Sequence, residues 1–174
     1  MKRLFVAIDI PKDLKEKINS ELIQPLGEVK KVQKENLHIT LAFIGDASES
    51  NEKVIIEKLK KIQFSKFPLL LGGTGSFDDR VIWLSAQAIE LFNLAENISR
   101  ELHLDNDFSG HVTIAKAKEG RDINENFKKI RGKKINQTIK VDKFILFESK
   151  PSENGSIYAK VFEFKSNIKK TKKE

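Results

Sequence analysis

The chain contains no cysteine, and this absence removes several kinds of chemistry at once. Without a thiol there is no disulfide, no Cys-ligated zinc or iron–sulfur cluster and no thiol nucleophile. Histidine is scarce as well, with three in 174 residues. A catalyst built from this sequence therefore has to use histidine, carboxylate, lysine or hydroxyl groups.

Long apolar runs are also missing. The stretch over residues 4–10 is interrupted by Asp9 and is too short to span a bilayer. No signal peptide with a small-residue cleavage site follows Met1. We therefore expect a cytoplasmic protein with no membrane partner.

Size and charge bound the remaining possibilities. A chain of 174 residues with 39% hydrophobic content can bury a real core in one compact domain or two small lobes. Its net charge is +7, with basic clusters at residues 128–134 and 169–173. A polyanion such as nucleic acid is one natural partner of such a chain, and a solvated lysine-rich surface is the other interpretation.

Strand and helix patterns alternate along the chain, which indicates an α+β protein. The predicted strands cover residues 4–8, 37–44, 67–71, 81–84, 111–117, 139–148 and 157–164. The predicted helices begin after Pro11, after a cap at Ser48 or Ser50, and cover residues 88–104 and 124–130. We expect a turn or bulge at residues 72–75 and an antiparallel pair formed by the last two strands.

The most informative feature is a four-residue pattern that occurs twice. Residues 38–41 read HITL and residues 111–114 read HVTI. Side chains two apart in a strand point to the same face, so each copy presents His and Thr on one side and apolar residues on the other. With five threonines in the chain, chance places Thr at this spacing from two of three histidines with a probability of roughly 0.3%.

Two facing histidines form an acid–base device. Imidazole titrates near pH 6.5, so one ring can be neutral while the other is protonated. Displacement at phosphorus needs a base for the incoming oxygen and an acid for the leaving oxygen on opposite sides. The threonine hydroxyls would stabilise the charge on the non-bridging oxygens, and neither a metal nor another cofactor is required.

The chain resembles the two-histidine phosphoesterases, and more closely their branch of RNA 2′,3′-cyclic phosphodiesterases, also called 2′-5′ RNA ligases. The resemblance lies in RLFVAI at residues 3–8, ENLHITL at 35–41, FIG at 43–45 and RVIWL at 80–84. Phe108-Ser109 before the second pattern, Gly155 and Tyr158 also fit. It covers residues 1–165 as one domain and leaves a basic tail at residues 166–174, which we expect to be frayed.

The resemblance implies a bilobal α+β fold in which two pseudo-symmetric antiparallel sheets face a central cleft, with helices outside. It implies that His111 accepts a proton from water and that His38 donates one to the leaving 3′ oxygen. Thr40 and Thr113 would bind the phosphate. The implied substrate is RNA ending in a 2′,3′-cyclic phosphate, for example a tRNA fragment, and the implied product is a 2′-phosphomonoester. Reversal of the reaction would give 2′-5′ ligation. We expect the enzyme to be a monomer.

Two residues depart from the family pattern. Gly110 stands where proline is usual, which is expected to loosen the entry to the strand. Lys116 stands where arginine is common, and it keeps the charge without the bidentate fork. Strict alternation points Lys116 away from His111, so a phosphate contact there requires a bulge. Arg80 is a further candidate for contacting RNA or phosphate, in competition with an ion pair to a neighbouring aspartate.

Other interpretations remain open from the residues alone. The histidines could bind metal together with His103 or Asp46, although His-x-Thr is not a usual zinc arrangement and His103 also suits the end of a helix. The protein could bind RNA ends without catalysis, or act on small cyclic nucleotides or ADP-ribose cyclic phosphates. Aromatic side chains that could stack a terminal base or pack in the core are Phe77, Trp83, Phe108 and Tyr158.

Overall fold

The computed structural model describes residues 1–105, 107–153 and 155–167, and within these residues nine strands and four α-helices are formed. The strands are β1 (Lys2–Asp9), β2 (Lys30–Lys31), β3 (His38–Ala47), β4 (Phe67–Phe77), β5 (Val81–Gln87), β6 (His111–Lys116), β7 (Lys134–Val141), β8 (Lys143–Ser152) and β9 (Gly155–Lys165). The helices are α1 (Lys12–Ile18), α2 (Glu49–Leu59), α3 (Ile89–Leu102) and α4 (Asn124–Ile130). One π-helical turn (Asn19–Ile23) continues α1, and a 3-10 turn (Lys34–Asn36) precedes β3. The predicted α+β class is confirmed.

The strands form one curled antiparallel sheet in the order β7-β4-β5-β6-β3-β1-β8-β9. The two expected sheets are therefore the two halves of a continuous sheet, joined where β3 meets β6. Within the described residues, the one backbone pair recorded between these strands is Ile39 with Val112. Farther along β6, its end pairs with β2 at Lys116 and Ala115.

One face of the sheet is covered and forms the main core. In α3 the buried apolar side chains are Leu91, Leu94, Ala95 and Ile98, which is the spacing of an amphipathic helix that packs one face against a sheet. Ile39 and Val112 belong to the same core cluster and are fully buried. The opposite face, which we call the cleft face, carries a separate small apolar cluster: Phe5, Ala7, Ile145 and Phe147, with Tyr158 packed against it.

Several local predictions agree with the structure. Ser48 caps α2 by accepting a hydrogen bond from Asn51 N at 3.2 Å. Helix α4 has the predicted bounds, and β8 and β9 form the predicted antiparallel pair. Residues 72–75 lie inside β4, where the register against β5 is irregular, as expected of a bulge.

The single strand predicted over residues 139–148 is wrong. Strand β7 ends at Val141 and β8 begins at Lys143, so the predicted strand is interrupted at Asp142. The reason is that β7 pairs with β4 in one half of the sheet while β8 pairs with β1 in the other. The alternation of apolar residues continues across the break and therefore hides it.

The expected tail begins with two ordered contacts. Ser166 N donates to Asp142 O at 2.7 Å, and Asn167 Oδ1 accepts from Phe64 N at 3.1 Å. Residues 168–174 lie outside the described residues. In the part of the chain that the structure describes, no helix has the length and apolar character needed to cross a membrane.

Candidate active site

The two His-x-Thr patterns begin β3 and β6, the two strands that join the halves of the sheet. Because Ile39 and Val112 are paired and point into the core, the side chains flanking them lie together on the cleft face. Continuing this antiparallel register places Thr113 opposite His38 and makes His111 its diagonal neighbour. The Cα atoms of diagonal neighbours lie roughly 7–8 Å apart, so the two histidines are near neighbours on the cleft face, and the charge of His111 acts on His38.

Each pattern is followed by the same irregularity. The register of β3 against β1 skips Leu41, and the register of β6 against β5 skips Ile114. An extra residue of this kind is a β-bulge, and it interrupts the alternation of faces. Two successive residues are buried at each bulge, and the next side chain, Phe43 in β3 or Lys116 in β6, is exposed again. The bulge that a phosphate contact by Lys116 requires is therefore present.

Both imidazoles are oriented by the same backbone contact. His38 Nδ1 lies 2.6 Å from Asn36 O, and His111 Nδ1 lies 2.8 Å from Ser109 O, in each case the carbonyl two residues earlier. A carbonyl can only accept, so Nδ1 carries the proton in both rings. Nε2 is left as the working nitrogen of each histidine.

Thr40 contacts the working nitrogen of His38. The distance from Thr40 Oγ1 to His38 Nε2 is 2.9 Å. In the neutral ring, Nε2 accepts this hydrogen bond from the hydroxyl. A phosphate oxygen arriving at the site would compete for the same hydroxyl proton, so His38 and Thr40 are coupled before any ligand binds.

An aromatic edge packs against each histidine. Tyr158 contacts His38 with ring centroids 5.2 Å apart and planes at 86°, and Phe77 contacts His111 at 5.2 Å and 84°. Phe5 also packs against His38 at 5.1 Å. These contacts restrict ring rotation, so they assist the backbone carbonyls in fixing where Nε2 points.

Burial lowers the pKa of His38 from its ordinary value of 6.5. The hydrogen bond to the Asn36 carbonyl and the carboxylate of Asp9 act in the opposite direction. The positive charges of Lys15 and of a protonated His111 lower the pKa further. In the unliganded protein, His38 therefore favours its neutral form.

A cavity of about 400 Å³ opens beside His38 on the cleft face. Side chains from both halves of the sheet line it, among them Arg3, His38, Thr40, Thr113, Lys116 and Tyr158. Its walls thus combine cations, hydroxyls and an aromatic ring. His111 does not line this cavity, and its ring lies on the adjoining part of the same face.

Four of the six predicted site side chains flank the pair of Ile39 with Val112 and share the cleft face: His38, Thr40, His111 and Thr113. Lys116 joins them through the bulge. Arg80 does not line the cavity, and its guanidinium donates to Arg121 O at 2.8 Å. Neither of the aspartates that precede Arg80 forms an ion pair with it among the described residues.

Gly110 is needed for a close backbone approach, and the expected loose entry is not what the structure shows. Its carbonyl accepts a hydrogen bond from Ala86 N at 2.9 Å. A Cβ at this position would lie 2.3 Å from Ala86 O. Glycine therefore holds the segment before His111 tightly against the end of β5.

The remaining candidates lie elsewhere. His103 ends α3 in a left-handed conformation with φ of 56°, and Asp46 lines a different cavity. Within the described ranges, no group of three or more His, Asp or Glu side chains is arranged to hold a metal ion. Phe108 packs against Phe92 at 5.1 Å, away from the histidines.

Sequence reasoning missed three contributors: the carbonyls of Asn36 and Ser109, and Arg3 in the cavity wall. A repeated alanine offered one signal for the bulges, because the patterns extend to HITLAF and HVTIAK. The carbonyls carry no sequence signal at all.

Comparison with known proteins agrees with this geometry. A family model described as LigT like Phosphoesterase matches residues 8–83. The RNA 2′,3′-cyclic phosphodiesterase of Archaeoglobus fulgidus is 31% identical over 176 residues, covering 92% of this chain and 99% of that protein. The protein of the same name from Methanocaldococcus jannaschii is 34% identical over 177 residues, covering 93% and 99%. The crystal structure of Escherichia coli LigT complexed with 3′-AMP is similar with a TM-score of 0.80 and 26% identity, covering 96% of this chain and 99% of that one.

The fold and the paired histidines define a phosphoesterase of the two-histidine class, and hence a hydrolase. The chain belongs to the RNA 2′,3′-cyclic phosphodiesterase family of LigT-like phosphoesterases.

Proposed function

We propose that this protein opens a 2′,3′-cyclic phosphate at the end of an RNA and leaves a 2′-phosphomonoester. The observation that carries the proposal is the matched pair of imidazoles. Both lie on the cleft face, both are held at Nδ1 by a carbonyl, and in both the nitrogen left for proton transfer is Nε2, which in His38 contacts the hydroxyl of Thr40. A phosphate between them meets one proton carrier on each side.

In the proposed hydrolysis each histidine transfers one proton. His111 Nε2 accepts a proton from water while the water oxygen forms a bond to phosphorus. The bond between phosphorus and the 3′ oxygen breaks, and His38 Nε2 donates a proton to that oxygen. Thr40 and Thr113 donate hydrogen bonds to the non-bridging oxygens, whose charge grows in the transition state.

The lowered pKa of His38 gives its acid role a measurable consequence. Burial favours the neutral ring in the free enzyme. A phosphodiester anion beside the ring favours the protonated form, because opposite charges stabilise each other. Substrate binding is therefore coupled to proton uptake at His38, and the ionisation seen in kcat/KM should move to higher pH in kcat.

The relatives support the choice of substrate. The relatives that match nearly the whole of this chain, and are themselves matched over nearly their whole length, carry the name RNA 2′,3′-cyclic phosphodiesterase. The E. coli LigT structures include complexes with 3′-AMP and with phosphate. The same chemistry with an RNA 5′-hydroxyl in place of water would form a 2′-5′ linkage, so ligation is part of the proposal as the secondary reaction.

The test is turnover of an RNA oligonucleotide that ends in a 2′,3′-cyclic phosphate. Wild-type protein is expected to release the 2′-phosphomonoester, with EDTA leaving the rate unchanged. His38→Ala and His111→Ala should each lower kcat by about 10²- to 10⁴-fold. His103→Asn is the matched control, because it removes the third imidazole far from the cleft and asparagine tolerates the left-handed conformation.

The outcomes separate the alternatives. Full activity in either alanine variant contradicts the acid–base pair. A 3′-phosphate product reverses the leaving group. Binding of the cyclic end by wild-type protein without turnover indicates a non-catalytic RNA-binding module instead.

A second substrate distinguishes acid from base. Thymidine 3′-(p-nitrophenyl phosphate) releases p-nitrophenolate, which departs without protonation. His38→Ala should lose much less activity on this ester than on the cyclic phosphate, whereas His111→Ala should lose activity on both substrates. The opposite pattern would exchange the roles of the two histidines.

A further inference from the structure

Two lysines face each other across the strand pair at the rim of the cleft. Strand β2 pairs with β6 so that Lys30 is directly opposite Lys116. Like charges directly opposite each other in an antiparallel pair destabilise it. The protein keeps this arrangement although glutamate is common in its composition, which points to an anion that the two lysines share.

Lys30 lies on the cleft face. Side chains directly opposite each other in an antiparallel pair lie on the same face of the sheet. Lys116, the partner of Lys30, lines the cavity beside His38 on the cleft face. Lys30 is therefore placed on that face as well.

The two lysine charges are not offset by a carboxylate in the part of the chain that the structure describes. Among the residues that the structure describes, neither Lys30 nor Lys116 has an acidic partner at ion-pair distance. Glu28, two residues before Lys30, is bound instead to Lys118 at 2.9 Å and to Arg121 at 3.6 Å. The pair is thus exposed, positively charged and free to bind a ligand.

We propose that Lys30 and Lys116 together bind the internucleotide phosphate next to the terminal cyclic phosphate. The inference rests on the proposed function and adds a second phosphate site to it. Lys116 is three positions after Thr113, so their Cα atoms are within about 10 Å at the usual rise of a strand. One nucleotide and a lysine side chain span that distance, and the site therefore favours RNA over a single nucleotide.

The experiment compares three substrates. The first is a nucleoside 2′,3′-cyclic phosphate, which has no internucleotide phosphate. The second is a dinucleotide ending in the same cyclic phosphate. The third is that dinucleotide with a methylphosphonate linkage, which keeps the shape and removes the internal charge.

Wild-type protein should prefer the charged dinucleotide over the other two in kcat/KM. In Lys30→Gln, this preference should fall by about 2- to 5-fold, the size expected of one solvent-exposed ion pair. The methylphosphonate should lower kcat/KM of wild type but add little to the loss in Lys30→Gln. The negative slope of log(kcat/KM) against log[salt] for the dinucleotide should also become shallower, by about one, in Lys30→Gln.

Lys31→Gln is the matched control. It removes the same charge from the next position of the same strand, where the partner is the buried Ala115 and the side chain donates to Gln24 O at 3.4 Å. The control should keep the wild-type preference. An equal effect of both variants, or a wild type that does not distinguish the charged from the neutral linkage, overturns the inference while the proposed function stands. If wild type opens none of the three substrates, the proposed function fails and the inference with it.

Discussion

Replacing Gly110 with alanine should destabilise the fold, and the size of the effect follows from one contact. A Cβ at Gly110 would lie 2.3 Å from Ala86 O, a backbone atom that cannot rotate away. The two segments must separate, which also strains the 2.9 Å hydrogen bond from Ala86 N to Gly110 O. Overpacking of this kind costs about 1–3 kcal/mol. For a domain of this size each kcal/mol lowers Tm by about 2–4 °C, so we expect a decrease of about 2–12 °C.

The same substitution should reduce activity, because Gly110 adjoins the carbonyl that orients His111, the proposed catalytic base. Ser109 O accepts the hydrogen bond from His111 Nδ1 at 2.8 Å. A backbone displacement of about 1 Å at a reacting group costs up to about 10²-fold in rate. We expect kcat/KM on the cyclic-ended RNA to fall by about 10- to 100-fold, with little change in binding of the product.

Thermal and urea unfolding measured together with turnover test this reasoning. Gly73→Ala is the control, because a Cβ there would meet Lys134 Cγ at 3.7 Å, an ordinary contact. The control should change stability by less than about 1 kcal/mol and leave kcat unchanged. If Gly110→Ala unfolds at the wild-type midpoint, the close approach to Ala86 does not constrain the fold, and the expected loss of stability is contradicted.

Three further predictions concern the surroundings of His38. Asn36→Ala removes the hydrogen bond from Asn36 Nδ2 to Ser156 O at 2.6 Å, and urea unfolding should show a loss of about 0.5–1.5 kcal/mol; an unchanged midpoint would contradict a structural role for this contact. Thr40→Val removes a donor to the phosphate and should lower kcat by about 10²-fold, whereas a change in KM alone would argue against a transition-state role. The folded protein holds the pKa of His38 below 6.5, so the unfolded chain binds more protons just below that pH and stability must decrease as the pH falls from 6.5 through the folded-state pKa. His38→Gln should flatten this part of the curve of unfolding free energy against pH, and an identical slope in both proteins would contradict the shift.

Local features of the fold could be predicted because their causes are local. The serine at residue 48 caps the next helix through its own hydroxyl, and α4 follows from its own apolar spacing. The break at Asp142 could not be predicted, because β7 and β8 are separated by their partners and not by their sequences. Pairing between distant strands carries no signal within the strands themselves.

The same division holds at the active site. Alternation in a strand was sufficient to put His38 with Thr40 and His111 with Thr113. Alternation alone points Lys116 away from His111, and the bulge at Ile114 that changes its side appears in the register against β5. The tight fit of Gly110 likewise depends on Ala86, which is 24 residues away in the chain.

The sequence by itself determined which groups are available for chemistry: two imidazoles, each with a hydroxyl on the same face of a strand, and no thiol. Whether those faces meet was decided by the tertiary structure, through the backbone pair of Ile39 with Val112. The physical reason is that side-chain direction follows from the backbone of one strand, whereas the distance between two strands depends on every contact that holds the sheet together. Only the folded protein brings two separate His-Thr pairs together on one face of the sheet.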